Sequence, residues 1–124
     1  MQARPDPHDL LVILRHGPHG SSWLKEGLDA ALVAAAFGQR VALLFMGEGV
    51  TALVRDQQVG PLGQKGTAPT LEMLAMYDIE TLLVDAPSLA QFGLSPEALM
   101  LEVTCVSSEA LPALLAGQRQ VLTF

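Results

Sequence analysis

A chain of 124 residues holds one domain with a core of its own and is too short for two. Half of its residues are hydrophobic and only 16% are charged, against roughly 25% in an average soluble domain, so part of its surface is expected to be covered by partner subunits rather than by water. Seven Lys and Arg against thirteen Asp and Glu leave a net charge of -6, with too few cations for a stripe that displaces counterions from a phosphate backbone, which excludes a direct nucleic-acid partner.

The first segment, MQARPDPHD, is polar and holds two prolines, and the apolar run that follows spans only Leu10 to Leu14. It is neither a signal peptide nor a membrane span. Residues 1–8 are expected to form a loosely held tail, and 9–124 a single domain. One cysteine allows no internal disulfide, and three histidines that all precede residue 20 offer no metal-site spacing. The chain reads as cytoplasmic, with no membrane contact, metal or cofactor.

Leu10 to Leu14 is a continuous aliphatic run, suited to a strand buried on both faces of a parallel sheet. Beyond the Gly/Pro loop, Ser21 or Ser22 can cap a helix with apolar positions Leu24, Leu28, Ala31, Leu32 and Ala35, which Gly38 ends. Val41 to Phe45 predicts a second strand, followed by MGEGV and a short helix from about Val50 to Arg55. QQVGPLGQKGTAP, residues 57–69, reads as a glycine-rich loop, and Leu71, Leu74 and Ala75 as the next helix. Thr81 to Val84 predicts the third strand, PSLAQFGL a short helix ending near Gly93, and Leu99 to Val103 the fourth strand. In SSEALPALLAG, Ser108 as N-cap puts Pro112 at the fourth helical position, where no intrahelical bond is lost. Gly117 closes that helix, and Gln120 to Phe124 forms the last strand. Strands alternating with helices predict a three-layer α/β/α sandwich around a mostly parallel five-stranded sheet with right-handed crossovers.

Four constellations bear on chemistry. LVILRHGPHGS runs a strand into Arg15, His16 and Gly17, as histidine phosphatases present a nucleophilic imidazole, but a phosphohistidine needs further donors around the phosphoryl oxygens. No histidine follows His19, and Arg40 and Arg119 each precede a predicted strand, at the opposite edge of the sheet from His16. The same loop makes a poor phosphate cradle: Gly17-x-x-Gly20 lacks the dinucleotide spacing and Pro18 removes an amide. Cys105, just past the fourth predicted strand, is the one available thiolate, with the next helix start near it but no adjacent Lys or Arg to lower its pKa. It reads first as a small packing residue. Glu26 and Asp29 share a helix face and, with Glu48, form the remaining polar cluster, a solvated face by default.

KEGLDAALVAAAFGQRVALLFMGEGV, YDIETLLVDAPSLAQFGL and the terminal QVLTF together resemble the TusC/DsrF branch of the DsrE-like sulfur-relay proteins, over residues 9–124. The residues that carry the likeness are Glu26, Gly27 and Asp29 in EGLDAAL, Gly47, Glu48 and Gly49 in GEGV, and Tyr77 and Asp78 in YDIE. The resemblance implies an α/β/α sandwich and a place in a heterohexamer with two copies of each of three related subunits. The other two are a TusD/DsrE-like sulfur carrier and a TusB/DsrH-like chain. Such a complex hands persulfide sulfur to a downstream carrier, toward 2-thiouridine at the tRNA wobble position or, in the Dsr branch, toward sulfur oxidation. The resemblance places the carrier cysteine in the sister subunit, in a loop around the third strand. The corresponding stretch here, Gly60 to Ala86, holds no cysteine. It thus implies a non-catalytic subunit serving tRNA thiolation, with a DsrF-type subunit, or a persulfide carrier using Cys105, as alternatives. Two departures are Glu48, where the family more often has Asp, and Cys105, where no family cysteine is expected. The partner-facing surface is expected near Tyr77, Asp78 and the loop Gly60 to Thr67.

Overall fold

The computed structural model describes residues 8–18, 21–54 and 68–124. Five parallel strands, β1 (Leu10–Leu14), β2 (Val41–Phe45), β3 (Thr81–Asp85), β4 (Thr104–Val106) and β5 (Val121–Thr123), form one sheet in the order β4-β3-β2-β1-β5. The aliphatic runs of β1 and β2 are buried at every position and pair in register from Leu10 opposite Val41 to Leu14 opposite Phe45. They are apolar on both faces because both faces are covered.

From β1 to β4 the chain steps across the sheet in one direction. The helices on these crossovers, α1 (Trp23–Ala36), α2 (Ala68–Glu72) and α3 (Ala86–Gln91), together with 3-10 helices at Gly47–Leu53 and Leu74–Tyr77, lie on one face. The return from β4 to β5 reverses direction, and α4 (Leu111–Ala116) covers the opposite face through Leu111, Leu114 and Leu115, as a constant crossover hand requires. Leu24, Leu28 and Ala31 of α1 pack on Leu10, Val12 and Leu14, while Leu11, Ile13 and Leu44 face α4. No helix among the described residues is long and apolar enough to cross a membrane.

Three chain reversals share one device. After α1, the Gly38 amide donates to the Ala35 carbonyl and the Gln39 amide to Ala34, with Gly38 at φ 89°. After α3 the same bonds run from Gly93 to Ala90 and from Leu94 to Leu89. After Tyr77 they run from Asp78 to Ala75 and from Ile79 to Leu74, with Asp78 at φ 61°. Each is a left-handed cap that satisfies the last carbonyls, and aspartate tolerates the conformation better than most side chains.

The structure departs from the sequence expectations at four places. The helix expected from about Val50 is a 3-10 helix that starts at Gly47, and Arg55 lies outside the described residues. The helix expected around 71–75 is split between α2 and the 3-10 turn Leu74–Tyr77. The fourth strand is not Leu99 to Val103 but Thr104–Val106. Leu99 is instead fully buried, bridges Val54 in an isolated antiparallel pair, and the Met100 amide donates to the Leu53 carbonyl at 2.7 Å. Its hydrophobicity seals the core rather than extending the sheet. Finally, α4 begins at Leu111, because the Ser107 hydroxyl and carbonyl accept the Ala110 and Leu111 amides and hold 107–110 as a turn. Pro112 then lies in the first turn, and its ring meets no helical carbonyl four residues back.

At the amino end, His8 donates its amide to the Gln118 side chain, and the Asp9 carboxylate accepts the Arg40 amide at 2.9 Å. The guanidinium groups of Arg40 and Arg119 lie 3.7 and 3.8 Å from the same carboxylate. The amide bond, joined by these two cations, holds the Asp9 carboxyl below its ordinary range. The tail 1–7 and loop residues 57–67 lie outside the described residues.

The tightest glycine contact among the described residues is that of Gly49, where an added Cβ would sit 1.9 Å from the Leu14 carbonyl oxygen and 2.7 Å from its carbon. Gly49→Ala should therefore lower stability by about 3 kcal/mol, since main chain must move. Gly38→Ala, with nothing within 4 Å of the new methyl, should cost only about 1 kcal/mol for its left-handed φ. Urea unfolding of the two variants checks the difference.

Candidate functional site

Open parallel sheets bind ligands beyond the carboxyl ends of their strands, where the strand order reverses. Here that place is β1, flanked by β2 and β5. β1 delivers Arg15, His16 and Gly17 to it, β2 delivers Met46 to Gly49, and β5 ends beside it at Phe124.

The chain's own backbone occupies this crevice. The Arg15 amide donates to the Phe124 carbonyl at 2.8 Å, Met46 to Leu14 at 3.0 Å and Gly49 to Met46 at 2.8 Å. The Thr51 hydroxyl donates to the Glu48 carbonyl at 2.6 Å, and a Cβ on Gly17 would come within 2.9 Å of that hydroxyl. Gly27 serves the same closure from above: a Cβ there would meet Leu14 Cδ2 at 2.4 Å and the Phe124 ring at 3.0 Å. Of the residues carrying the family likeness, Gly27 and Gly49 thus let α1 and the Gly-Glu-Gly turn press onto β1. Gly47 supplies a left-handed turn at φ 53°.

One buried polar relay braces the turn. The Ser88 hydroxyl donates to Asp85 Oδ2 at 2.6 Å and accepts the Gly47 amide at 2.9 Å. Both side chains are buried, so each depends on the other for its hydrogen bonds. Neither residue was singled out from the sequence, although a carboxylate ending the apolar run TLLVD three residues before a serine was a visible signal.

The remaining sequence candidates do not converge. His16 stacks on Trp23 with ring centroids 5.8 Å apart, and its Nδ1 is buried without a hydrogen-bond partner among the described residues. Arg40 and Arg119, the cations a phosphoryl group would need, are held by Asp9 at the other end of the sheet. Glu26 and Asp29 are exposed on α1, with Asp29 3.9 Å from Lys25, and Glu48 is exposed on its turn. Among the described residues no group of three His, Cys, Asp or Glu side chains could hold a metal. Tyr77 and Asp78 lie before β3, on the opposite rim. A cleft of about 760 Å³ also opens there, lined by Glu80, Glu97, Glu102 and the amino half of β3.

Cys105 stands differently from the expectation that it follows the fourth strand. It is the middle residue of β4, opposite Val84, and is exposed on the edge of the sheet. The helix start expected near it is displaced to Leu111, six residues on, and α4 has only six residues. No helix start therefore lies beside the thiol.

These features define a three-layer α/β/α domain whose strand ends are closed by its own main chain. The chain belongs to the DsrE/DsrF-like family, whose model matches residues 8–124. A TusC homologue from Vibrio vulnificus is 36% identical over 115 residues, covering 93% of this chain and 98% of that protein. The Pseudomonas aeruginosa TusC homologue is 37% identical over 92% of this chain and 96% of its own length, and the Klebsiella pneumoniae protein TusC 34% over 90% and 95%. The crystal structure of the ychN protein from E. coli aligns with a TM-score of 0.80 over 94% of this chain and 98% of that one. At 22% identity it bears on the fold alone.

Removing the relay hydroxyl leaves Asp85 and the Gly47 amide without their partner, so Ser88→Ala should cost about 1–3 kcal/mol, read as a lowered melting temperature. His16→Ala should leave the protein as inactive toward phosphomonoesters as the parent, measured with p-nitrophenyl phosphate. A phosphatase rate that disappears in the variant would restore His16 as a nucleophile.

Proposed function

We propose that this chain is a non-catalytic structural subunit of a cytoplasmic sulfur-relay complex that serves 2-thiouridine synthesis at the tRNA wobble position. Its partners are a TusD/DsrE-like sulfur carrier and a TusB/DsrH-like chain, in a heterohexamer with two copies of each. Relatives named TusC across nearly the whole chain support the branch.

The position of the thiol carries the non-catalytic role. In a relay step an acceptor thiolate attacks the outer sulfur of a persulfide, the S–S bond breaks, and the donor cysteine leaves as thiolate. That step needs an attacking thiolate free to approach the donor persulfide, which a loop offers more readily than a hydrogen-bonded strand. The chain's single cysteine is instead Cys105, within an edge strand and remote from the crevice at β1. The tight Gly27, Gly49 and Ser88 contacts give the fold rigidity in place of reactivity. Its exposed surfaces are then its means of action, and a net charge of -6 leaves tRNA to a downstream partner.

Cys105→Ala separates this role from that of a persulfide carrier. In the assembled complex, transfer of ³⁵S from a cysteine desulfurase to the downstream carrier should stay within about twofold of the parent, because the sister subunit supplies the attacking thiolate. Loss of most transfer with the complex intact assigns the relay cysteine to this chain instead.

A further inference from the structure

Five large apolar side chains stand exposed on two neighbouring elements of one layer. Val33 and Phe37 lie one turn apart at the end of α1, exposed by 57% and 84%. Met73 caps the 3-10 turn that packs against α1, with its carbonyl accepting the Met76 amide, and Met76 and Tyr77 belong to that turn, with Met76 exposed by 81%. Residues three apart eclipse in a 3-10 helix, so Met73 and Met76 form one ridge. At roughly 150–200 Å² per large side chain, the five present on the order of 500 Å² of apolar surface, at the upper end of what a monomer carries. One side of a standard interface takes about 800 Å².

Among the described residues the charges on the turn side of this patch have one sign, and Arg40, three residues beyond Phe37, is engaged by Asp9. Residues 68–80 carry Glu72, Asp78 and Glu80, all exposed, and no Lys or Arg, while residues 30–37 of α1 carry no charge at all. A two-fold contact between two copies would bring these acidic rims together. From the patch and its rim we infer that this surface docks a non-identical polypeptide with an apolar centre inside a Lys/Arg rim. Resting on the function proposed above, that partner is a sister sulfur-relay subunit. The left-handed cap at Asp78 holds the ridge in place, giving the YDIE motif a docking role instead of a chemical one. Methionine side chains suit such a surface because they adapt to an irregular partner.

The test uses the chain tagged at its own locus, purified with its bound proteins, weighed intact by native mass spectrometry and identified by peptide mass. Phe37→Glu with Met76→Glu puts two carboxylates into the patch and should weaken subunit binding about 100-fold. Glu72→Lys with Glu80→Lys should weaken it about tenfold. Trp23→Glu, at the opposite end of α1 from Phe37, should leave binding unchanged. Phe37 and Met76 are mostly exposed, so the isolated variants should melt with the parent. If the glutamate pair melts lower, Phe37→Ala with Met76→Ala is read in its place, with about a tenfold loss expected. DsrE-like chains retained by both patch variants overturn the docking surface and leave the proposed function standing. A parent that forms only self-oligomers, made monomeric by the same variants, overturns the non-identical partner. A parent that binds no other chain overturns both.

Discussion

The contact on which the rest of the molecule depends is the approach of Gly49 to the last carbonyl of β1. Only a residue without a Cβ fits against Leu14 there, and that contact sets the path of everything leaving β2. It sends the chain into a 3-10 turn at Gly47–Leu53 instead of an open loop, and leaves Gly47 in the left-handed region at φ 53°. A turn pinned so closely has an amide pointing into the protein, which must find an acceptor. Ser88 provides it, and Asp85 orients Ser88. One steric requirement thus explains two glycines, a serine and a buried carboxylate.

The same closure decides what kind of protein the fold can be. Doubly wound sheets commonly hold phosphates or nucleotides where the strand order reverses, because a glycine-rich turn leaves amides facing a vacant crevice. In this chain the amides of Arg15, Met46 and Gly49 are bonded to its own carbonyls, and α1 is seated at Gly27 directly over the end of β1. Glycines here bring backbone against backbone instead of backbone against ligand. On its outer surface, large exposed apolar residues collect on the layer formed by α1 and the turn before β3.

Much of this was legible in the sequence. Continuous aliphatic runs identified β1 and β2 because a strand covered on both faces needs no polar alternation. Gly38 and Gly93 marked helix ends because left-handed caps favour glycine. Resemblance in EGLDAAL and GEGV picked out Gly27, Gly47 and Gly49 without saying what they do. Composition pointed to covered surface but not to its location. Tyr77, expected on a partner-facing surface, is an exposed residue, whereas Phe37 and Met76, the most exposed of the large apolar side chains, had no local signal to separate them from core residues.

What the chain determined by itself is whatever follows from local pattern: five strands, their alternation with helices, the caps, and the family. What only the tertiary structure decided is where apolar residues compete for the same core. Leu99 to Val103 has the composition of a strand, yet Leu99 is drawn into the core beside Val54 and the pairing passes to Thr104–Val106. That shift carried Cys105 from a loop beside a helix start into the middle of an edge strand. Burial depends on neighbours far away in sequence, and hydrophobicity alone does not say which surface a residue will cover. The position of the only thiol was settled by that competition, not by the residues around it.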